Sequence, residues 1–325
     1  MDLLPNSEEL LVEDGARNFL GRTHPAAEMP RRTATLTPGE FRAVAELGWF
    51  LPAIGDDAVA SVTDQVLIAR EIGRSVAPPT TLATMLATQV AVAAGDAALA
   101  NGFAEGAHRA ALGQANDAWR GPERGFLVID AEHADHVLFE ADGALKLAPM
   151  SAFEGVAEPG LDQVLVAKAG RLDHAQARRA APLAAHARVL LAAALTGGTE
   201  AVRDLSVEYA NTRVQFGKPI GAFQAISHKC SEMAVGAEAS LALTQYAAVR
   251  VRDGAEDAMA YASAARMVAG KSAYVSAKDS MQLHGGYGQT YEYMPHFYLK
   301  RAILYGRLWG GAKGDAEHVL FETTA

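Results

Sequence analysis

The segment Arg213-Val-Gln-Phe-Gly-Lys-Pro-Ile-Gly-Ala-Phe-Gln224 puts a cation, the planar ring of Phe216, two glycines and the Gln224 amide into one connection between two apolar helical stretches. A guanidinium offers several fixed donors to phosphate oxygens and stays charged, so these are parts suited to a dinucleotide pyrophosphate. A second segment, Gln282-Leu283-His284-Gly285-Gly286-Tyr-Gly-Gln-Thr290, closes another helical stretch with glycines that let backbone N–H groups approach a ligand closely. Taken singly, each residue also suits a plainer role: Arg213 as a solvated helix-end cation, Phe216 as core, the glycines as a C-cap.

The elements that must position these segments are long and helical. Beyond Gln176 the chain reads as Ala-rich helices over roughly 183–212, 221–252 and 255–284, with a shorter one after 290, which together would make an up-and-down bundle. From Glu8 to about Gly113 the pattern is again helical: Leu10, Leu11, Gly15 and Phe19 recur at helical spacing, as do Phe41, Val44 and Leu47. Thr37-Pro38-Gly39-Glu40 supplies an N-cap, an N1 proline and an acidic first turn, while Pro78-Pro79 stops the helix carrying Ile68 and Ile72. Strands are expected between Arg124 and about Arg171, where Phe126–Ile129, His136–Phe139 and Gln163–Val166 alternate with Asp-Gly and Pro-Gly turns. The expected domains are 1–118 (helical), 119–178 (a short β segment) and 179–325 (the bundle).

Composition narrows the function classes. With 325 residues, 50% hydrophobic and 21% charged, the chain can bury a large core. A formal net charge of −9 without clustered Lys and Arg argues against a nucleic-acid surface. The single cysteine, Cys230, lies between Lys229 and Ser231 and fits a reducing compartment without a disulfide framework. Asp2, Pro5, Glu8 and Glu9 do not make a signal peptide, and the apolar run Val189–Leu195 is too short to span a bilayer, so a cytoplasmic protein with no membrane partner is expected.

In this order, the two glycine segments together with Glu46-Leu-Gly-Trp49 and Arg70-Glu-Ile-Gly-Arg-Ser-Val-Ala-Pro78 resemble the acyl-CoA dehydrogenase family along nearly the whole chain. The resemblance implies a mainly α fold with an N-terminal helical domain, a truncated β segment and a C-terminal four-helix bundle. It implies FAD at a subunit interface, with Arg213 on the pyrophosphate, Phe216 on the adenine side and Gln224 hydrogen-bonded to the dinucleotide. Gln282, Leu283, His284, Gly285 and Gly286 would line its other flank. An acyl-CoA substrate and an electron-transfer flavoprotein or similar acceptor follow from the same resemblance.

The family's reaction needs a glutamate to take an α-proton while the β-hydride goes to the flavin. In most members it follows the last bundle helices, where this chain has Trp309-Gly310-Gly311-Ala312; in a minority it precedes an arginine matching Arg188, where this chain has Ala187. Neither Gly310 nor Ala187 can accept a proton. No metal site is expected either. The family's Thr-Glu-Pro…Gly-Ser-Asp and Trp-Ile-Thr phrases, which serve the flavin ring, are missing, and Glu158-Pro159-Gly160 reads as a turn. The chain is therefore similar to the small, non-catalytic subunit of split α2β2 members that act in bacterial steroid side-chain degradation, paired with a larger homologue. Two alternatives stand beside it: a homodimeric flavoenzyme whose base has moved to Glu292, Asp315, Glu317 or Glu322, and a flavin-free scaffold. His284 and His296 read as packing or helix-end residues.

Overall fold

Asn6 opens the first helix through a reciprocal cap: its side chain accepts the N–H groups of Glu8 and Glu9, while Glu9 accepts the Asn6 N–H at 2.8 Å. The helix that follows, α1, runs Ser7–Thr23 and buries Ala16, Phe19 and Leu20, whereas Leu10 and Leu11 of the sequence pattern are exposed. The computed structural model describes residues 5–25, 28, 35–56, 58–116, 125–158, 165–177 and 179–322. Contacts divide the chain into two compact units that interleave in sequence, one of 1–32, 66–76 and 188–325, the other of 33–65 and 77–187.

In the second unit, Thr37 and Glu40 form the expected capping box of α2 (Pro38–Glu46), which buries Phe41 and Val44. The helix expected to stop at Pro78-Pro79, α3 (Val62–Arg74), ends earlier, and Pro79 takes the N1 position of α4 (Pro79–Ala93) instead. Every residue of α4 from Pro79 to Ala91 is buried, and the polar Thr81, Thr88 and Gln89 among them donate to the backbone carbonyls of Pro78, Thr84 and Met85. After α5 (Ala97–Ala104), the chain forms β1 (Ala110–Asn116), β2 (Gly125–Ile129), β3 (His136–Ala141), β4 (Ala144–Pro149), β5 (Phe153–Glu158), β6 (Ala167–Leu172) and β7 (Arg179–Ala181).

These strands make one seven-stranded sheet in the order β5-β6-β2-β1-β3-β4-β7. Among the described residues only the β1–β3 pairing is parallel, with Leu112 opposite Leu138; the other pairs are antiparallel, as in Leu112 opposite Ile129. Phe126, Val128, Val137, Phe139 and Leu172 form the core over this sheet. Two expectations are corrected here. The helical region ends at Ala104 and not near Gly113, because Ala110–Asn116 pairs on both sides of β1. The strand expected over Gln163–Val166 lies at Ala167–Leu172, held in place by register with β2 and β5; Gln163 lies outside the described residues, as do Pro159 and Gly160 of the expected turn.

The first unit holds α1, most of α3 and the long helices α6 (Ala184–Thr212), α7 (Gln224–Arg252) and α8 (Ala258–His284). The single helix expected after 290 is two, α9 (Pro295–Arg307) and α10 (Gly311–Glu322), because Trp309, Gly310 and Gly311 take φ of +50, +87 and +55°, a left-handed run no α-helix continues through. Helices α3 and α6 cross backbone to backbone. A Cβ on Gly73 would lie 1.9 Å from the Ala194 carbonyl oxygen, and one on Gly197 would lie 1.8 Å from that of Arg70. An ion network surrounds the crossing: Arg70 bridges Glu13 (3.2 Å) and Glu200 (2.8 Å), and Arg74 reaches Glu200 (3.2 Å) and Asp204 (2.9 Å). Burial holds the Glu71 carboxyl above its ordinary value although Arg17 lies 3.0 Å away.

Candidate functional site

The connection after α6 is a β-hairpin. Arg213 continues the helix by donating its N–H to the Tyr209 carbonyl at 2.9 Å; Val214–Gln215 (β8) then pairs with Lys218–Pro219 (β9) across the tip Phe216-Gly217. Both tip residues have positive φ, +52° and +77°, as a type I′ hairpin turn requires. Glycine adopts this freely. For a phenylalanine it is strained, by about 1 kcal/mol or more, and the Phe216 ring is 92% exposed. A 3-10 turn, Ile220–Ala222, brings the chain into α7, and Ile220 packs on Ala210 and Leu283 with Tyr209, Phe223, Ile226 and Cys230 around them.

Helix α8 ends against this hairpin. Gly285 sits at φ +61°, ψ −137°, a conformation reserved for glycine, and its N–H caps the Gln282 carbonyl. A Cβ on Gly285 or Gly286 would meet nothing within 4 Å, so both face open space, whereas one on Gly288 would press within 2.4 Å of the Met281 carbonyl oxygen. His284 is buried. Its Nδ1 lies 2.8 Å from the Ser280 carbonyl, which can only accept, so Nδ1 carries the proton and donates. Its ring lies tilted over that of Tyr209, with centroids 4.2 Å apart, and burial lowers its pKa from the ordinary value.

Hairpin and glycine turn together line an open cleft of about 810 Å³. Of the sequence candidates, Arg213, Phe216, Leu283, His284, Gly285 and Gly286 line it. Gln224 and Gln282 do not; both are exposed, Gln224 at the start of α7 and Gln282 one turn-position before the buried face of α8. The sequence missed Tyr209, Gln215, Ile220, Phe223, Ile226, Tyr287 and Thr290. Among the described residues Arg213 is the one charged side chain on this lining; Lys218 holds its Nζ 4.4 Å from the centroid of the lining Phe223 ring. Aromatic and aliphatic walls, one guanidinium at an exposed position and two open glycines fit a planar heterocycle joined to a phosphate. Among the described residues no carboxylate lines the cavity.

Neither position expected for the base, Gly310 or Ala187, carries a titratable side chain. Gly310 is exposed in the left-handed run, and Ala187 is fully buried. Asp315, one of the carboxylates considered as a displaced base, is buried between two guanidinia, Arg188 Nε at 3.0 Å and Arg266 Nε at 2.6 Å. Glu292 and Glu317 are exposed, and the side chain of Glu322 lies outside the described residues. Among the described residues no helix is long and apolar enough to cross a membrane.

Residues 178–314 match the family described as acyl-CoA dehydrogenase, C-terminal domain. The chain is 31% identical over 250 residues to acyl-CoA dehydrogenase IpdE2 of Mycobacterium tuberculosis, covering 75% of this chain and 73% of that protein. Among solved structures, the Tcur3481–Tcur3483 steroid ACAD variant superposes with a TM-score of 0.82 at 21% identity, covering 98% of each chain. The ChsE4–ChsE5 complex from Mycobacterium tuberculosis gives 0.83 at 18% identity, covering 100% of this chain and 99% of that one. At such identities the superpositions speak for the fold, a helical N-terminal part, a central sheet and a C-terminal helical part, and the sequence match carries the relationship: this chain belongs to the acyl-CoA dehydrogenase family.

Proposed function

We propose that this chain is the non-catalytic small subunit of a heteromeric FAD-dependent acyl-CoA dehydrogenase, lending half of a flavin site to a larger homologue. The observation that carries the reading is the pairing of an intact cofactor-type cavity around Arg213, Phe216 and Gly285 with Gly310 and Ala187 at the positions of the base. FAD, when bound, would accept the β-hydride. Arg213 would hold the pyrophosphate, Phe216 would lie on the adenine side, and the N–H groups of Gly285 and Gly286 would face the dinucleotide from the opposite flank. Gln224 and Gln282, exposed beside the cavity, would reach the dinucleotide from its rim.

The exposed, strained Phe216 supports an interface location, since a ring 92% open to water in one chain gains most by burial against another. The solved relatives named as pairs, Tcur3481–Tcur3483 and ChsE4–ChsE5, support a heteromeric assembly, and the steroid in the first name suggests a bulky polycyclic acyl-CoA as the substrate class. The α-proton would then go to a carboxylate of the larger subunit, and electrons would leave to an electron-transfer flavoprotein or similar acceptor.

The test is the flavin-to-protein ratio of this chain expressed alone and together with a larger acyl-CoA dehydrogenase. Flavin appearing only with the partner, at about one per pair of unequal chains, is the expected result. Stoichiometric FAD in the lone chain would overturn the split site and favour a homodimeric enzyme. The seven-stranded sheet supports that second reading, and Glu292, exposed two residues after the cavity-lining Thr290, is where its base would first be sought.

A further inference from the structure

We propose that His284 is a positioning residue: as a neutral imidazole it holds the Tyr209 ring as a wall of the cofactor cavity, and protonation of His284 releases the cofactor. The inference rests on reading the cavity as a flavin half-site. Its geometry comes from the seam between α6 and α8. Ser206 donates its hydroxyl to Ser280 Oγ at 2.8 Å, and one turn further along each helix Tyr209 meets His284, their rings 4.2 Å apart and 30° from parallel. Tyr293 closes the other side, 5.2 Å from the His284 ring and 6.5 Å from that of Tyr209. Tyr209 therefore reaches the cavity with its ring held between two partners.

The imidazole can do this in one state only. Nδ1–H is committed to the Ser280 carbonyl, and Nε2 is buried and meets no hydrogen-bond partner among the described residues. A proton on Nε2 would be a buried donor with no acceptor among the described residues. The groups facing the ring are Tyr209 from α6, Ser280 from its own helix and Tyr293 from the segment before α9. No charged neighbour contributes to its lowered pKa, which comes from burial, opposed by the Ser280 carbonyl. Protonation is thus relieved only by moving the ring outward, and this takes away the partner on which Tyr209 stacks.

The experiment measures FAD retained after gel filtration, from about pH 7.5 to about pH 5, in whichever preparation carries flavin at neutral pH, for the natural chain and for His284→Phe, which keeps a ring but cannot titrate. Retention should fall about threefold or more in the natural chain and by less than about 1.5-fold in His284→Phe. Parallel loss in both, or no loss in either, overturns the proposal. A second variant, Tyr209→Leu, keeps the imidazole and should lower retention about threefold even at neutral pH; unchanged retention would remove Tyr209 from the site. Absence of FAD at neutral pH from the lone chain and from the assembled pair would overturn the flavin reading itself, and this inference with it. A flavin-bearing preparation whose pH profile ignores His284 would overturn this inference alone.

Discussion

Arg266 grips Asp315 with both arms of its guanidinium, Nε to Oδ2 and Nη2 to Oδ1, each at 2.6 Å, with both side chains 1% exposed. Arg188 donates to the same carboxylate at 3.0 Å, and Arg266 also reaches the Leu308 carbonyl at 3.0 Å and those of Trp309 and Gly311 at 3.4 Å. The turn of Leu308, Trp309 and Gly311 is thus fastened by a buried ion cluster. Asp315→Ala would leave two guanidinia buried without their carboxylate and should cost about 3–5 kcal/mol, visible in urea melts as a lower midpoint. Asp315→Asn, similar in shape, should lose almost as much if the charge matters, and little if only packing does.

The crossing of α3 and α6 predicts a reversal of ordinary helix propensity. Alanine is favoured over glycine inside a helix by about 1 kcal/mol, and Gly15→Ala, where a Cβ meets nothing within 4 Å, should stabilise α1 by about that amount. Gly197→Ala should instead destabilise by about 1–3 kcal/mol or more, because its Cβ would meet the Arg70 carbonyl oxygen at 1.8 Å and backbone cannot step aside as a side chain can. Paired thermal melts of the two variants check the opposite signs.

Arg213 is exposed and has no ion-pair partner among the described residues, so Arg213→Ala should change stability by less than about 0.5 kcal/mol. On the proposed assignment it removes a charge-assisted bond to phosphate worth about 1.5–3 kcal/mol, a roughly 10- to 100-fold loss in FAD affinity. Titration of the apo complex with FAD reads this directly; an unchanged affinity would free Arg213 of the assigned role.

Acid should weaken the second unit through buried His186 and half-buried His136. Burial lowers His186 to about 4, with Nε2 donating to Gln65 Oε1 at 2.8 Å, and burial beside His108 likewise lowers His136 to about 4. The folded state therefore binds fewer protons than the unfolded one. Stability is full above the ordinary value of about 6.5 and falls as the pH drops from there toward 4, by roughly 3 kcal/mol for fully buried His186. Urea midpoints at about pH 7 and about pH 4.5 should differ less in His186→Gln than in the natural chain.

What could be read from the residue order was whatever local backbone chemistry decides. The Thr37–Glu40 capping box, the lengths of α6 and α8, the glycine stop at Gly285 and the convergence of Arg213 with Phe216 each depend on residues a few positions apart. That Gly310 and Ala187 carry no titratable group was legible for the same reason, since no fold can supply one there. Tertiary structure decided what depends on distant partners. Strand β6, Ala-Lys-Ala-Gly-Arg-Leu, has no apolar alternation strong enough to announce it and exists because β2 and β5 pair on either side. Tyr209, Tyr287 and Ile226 line the cavity although they stand on three separate segments, and nothing in their own neighbourhoods marks them. Asp315 carries the same carboxylate in sequence as Glu317, yet one is locked between Arg188 and Arg266 and the other faces water, because burial and charge pairing are properties of the packed chain and not of the residue.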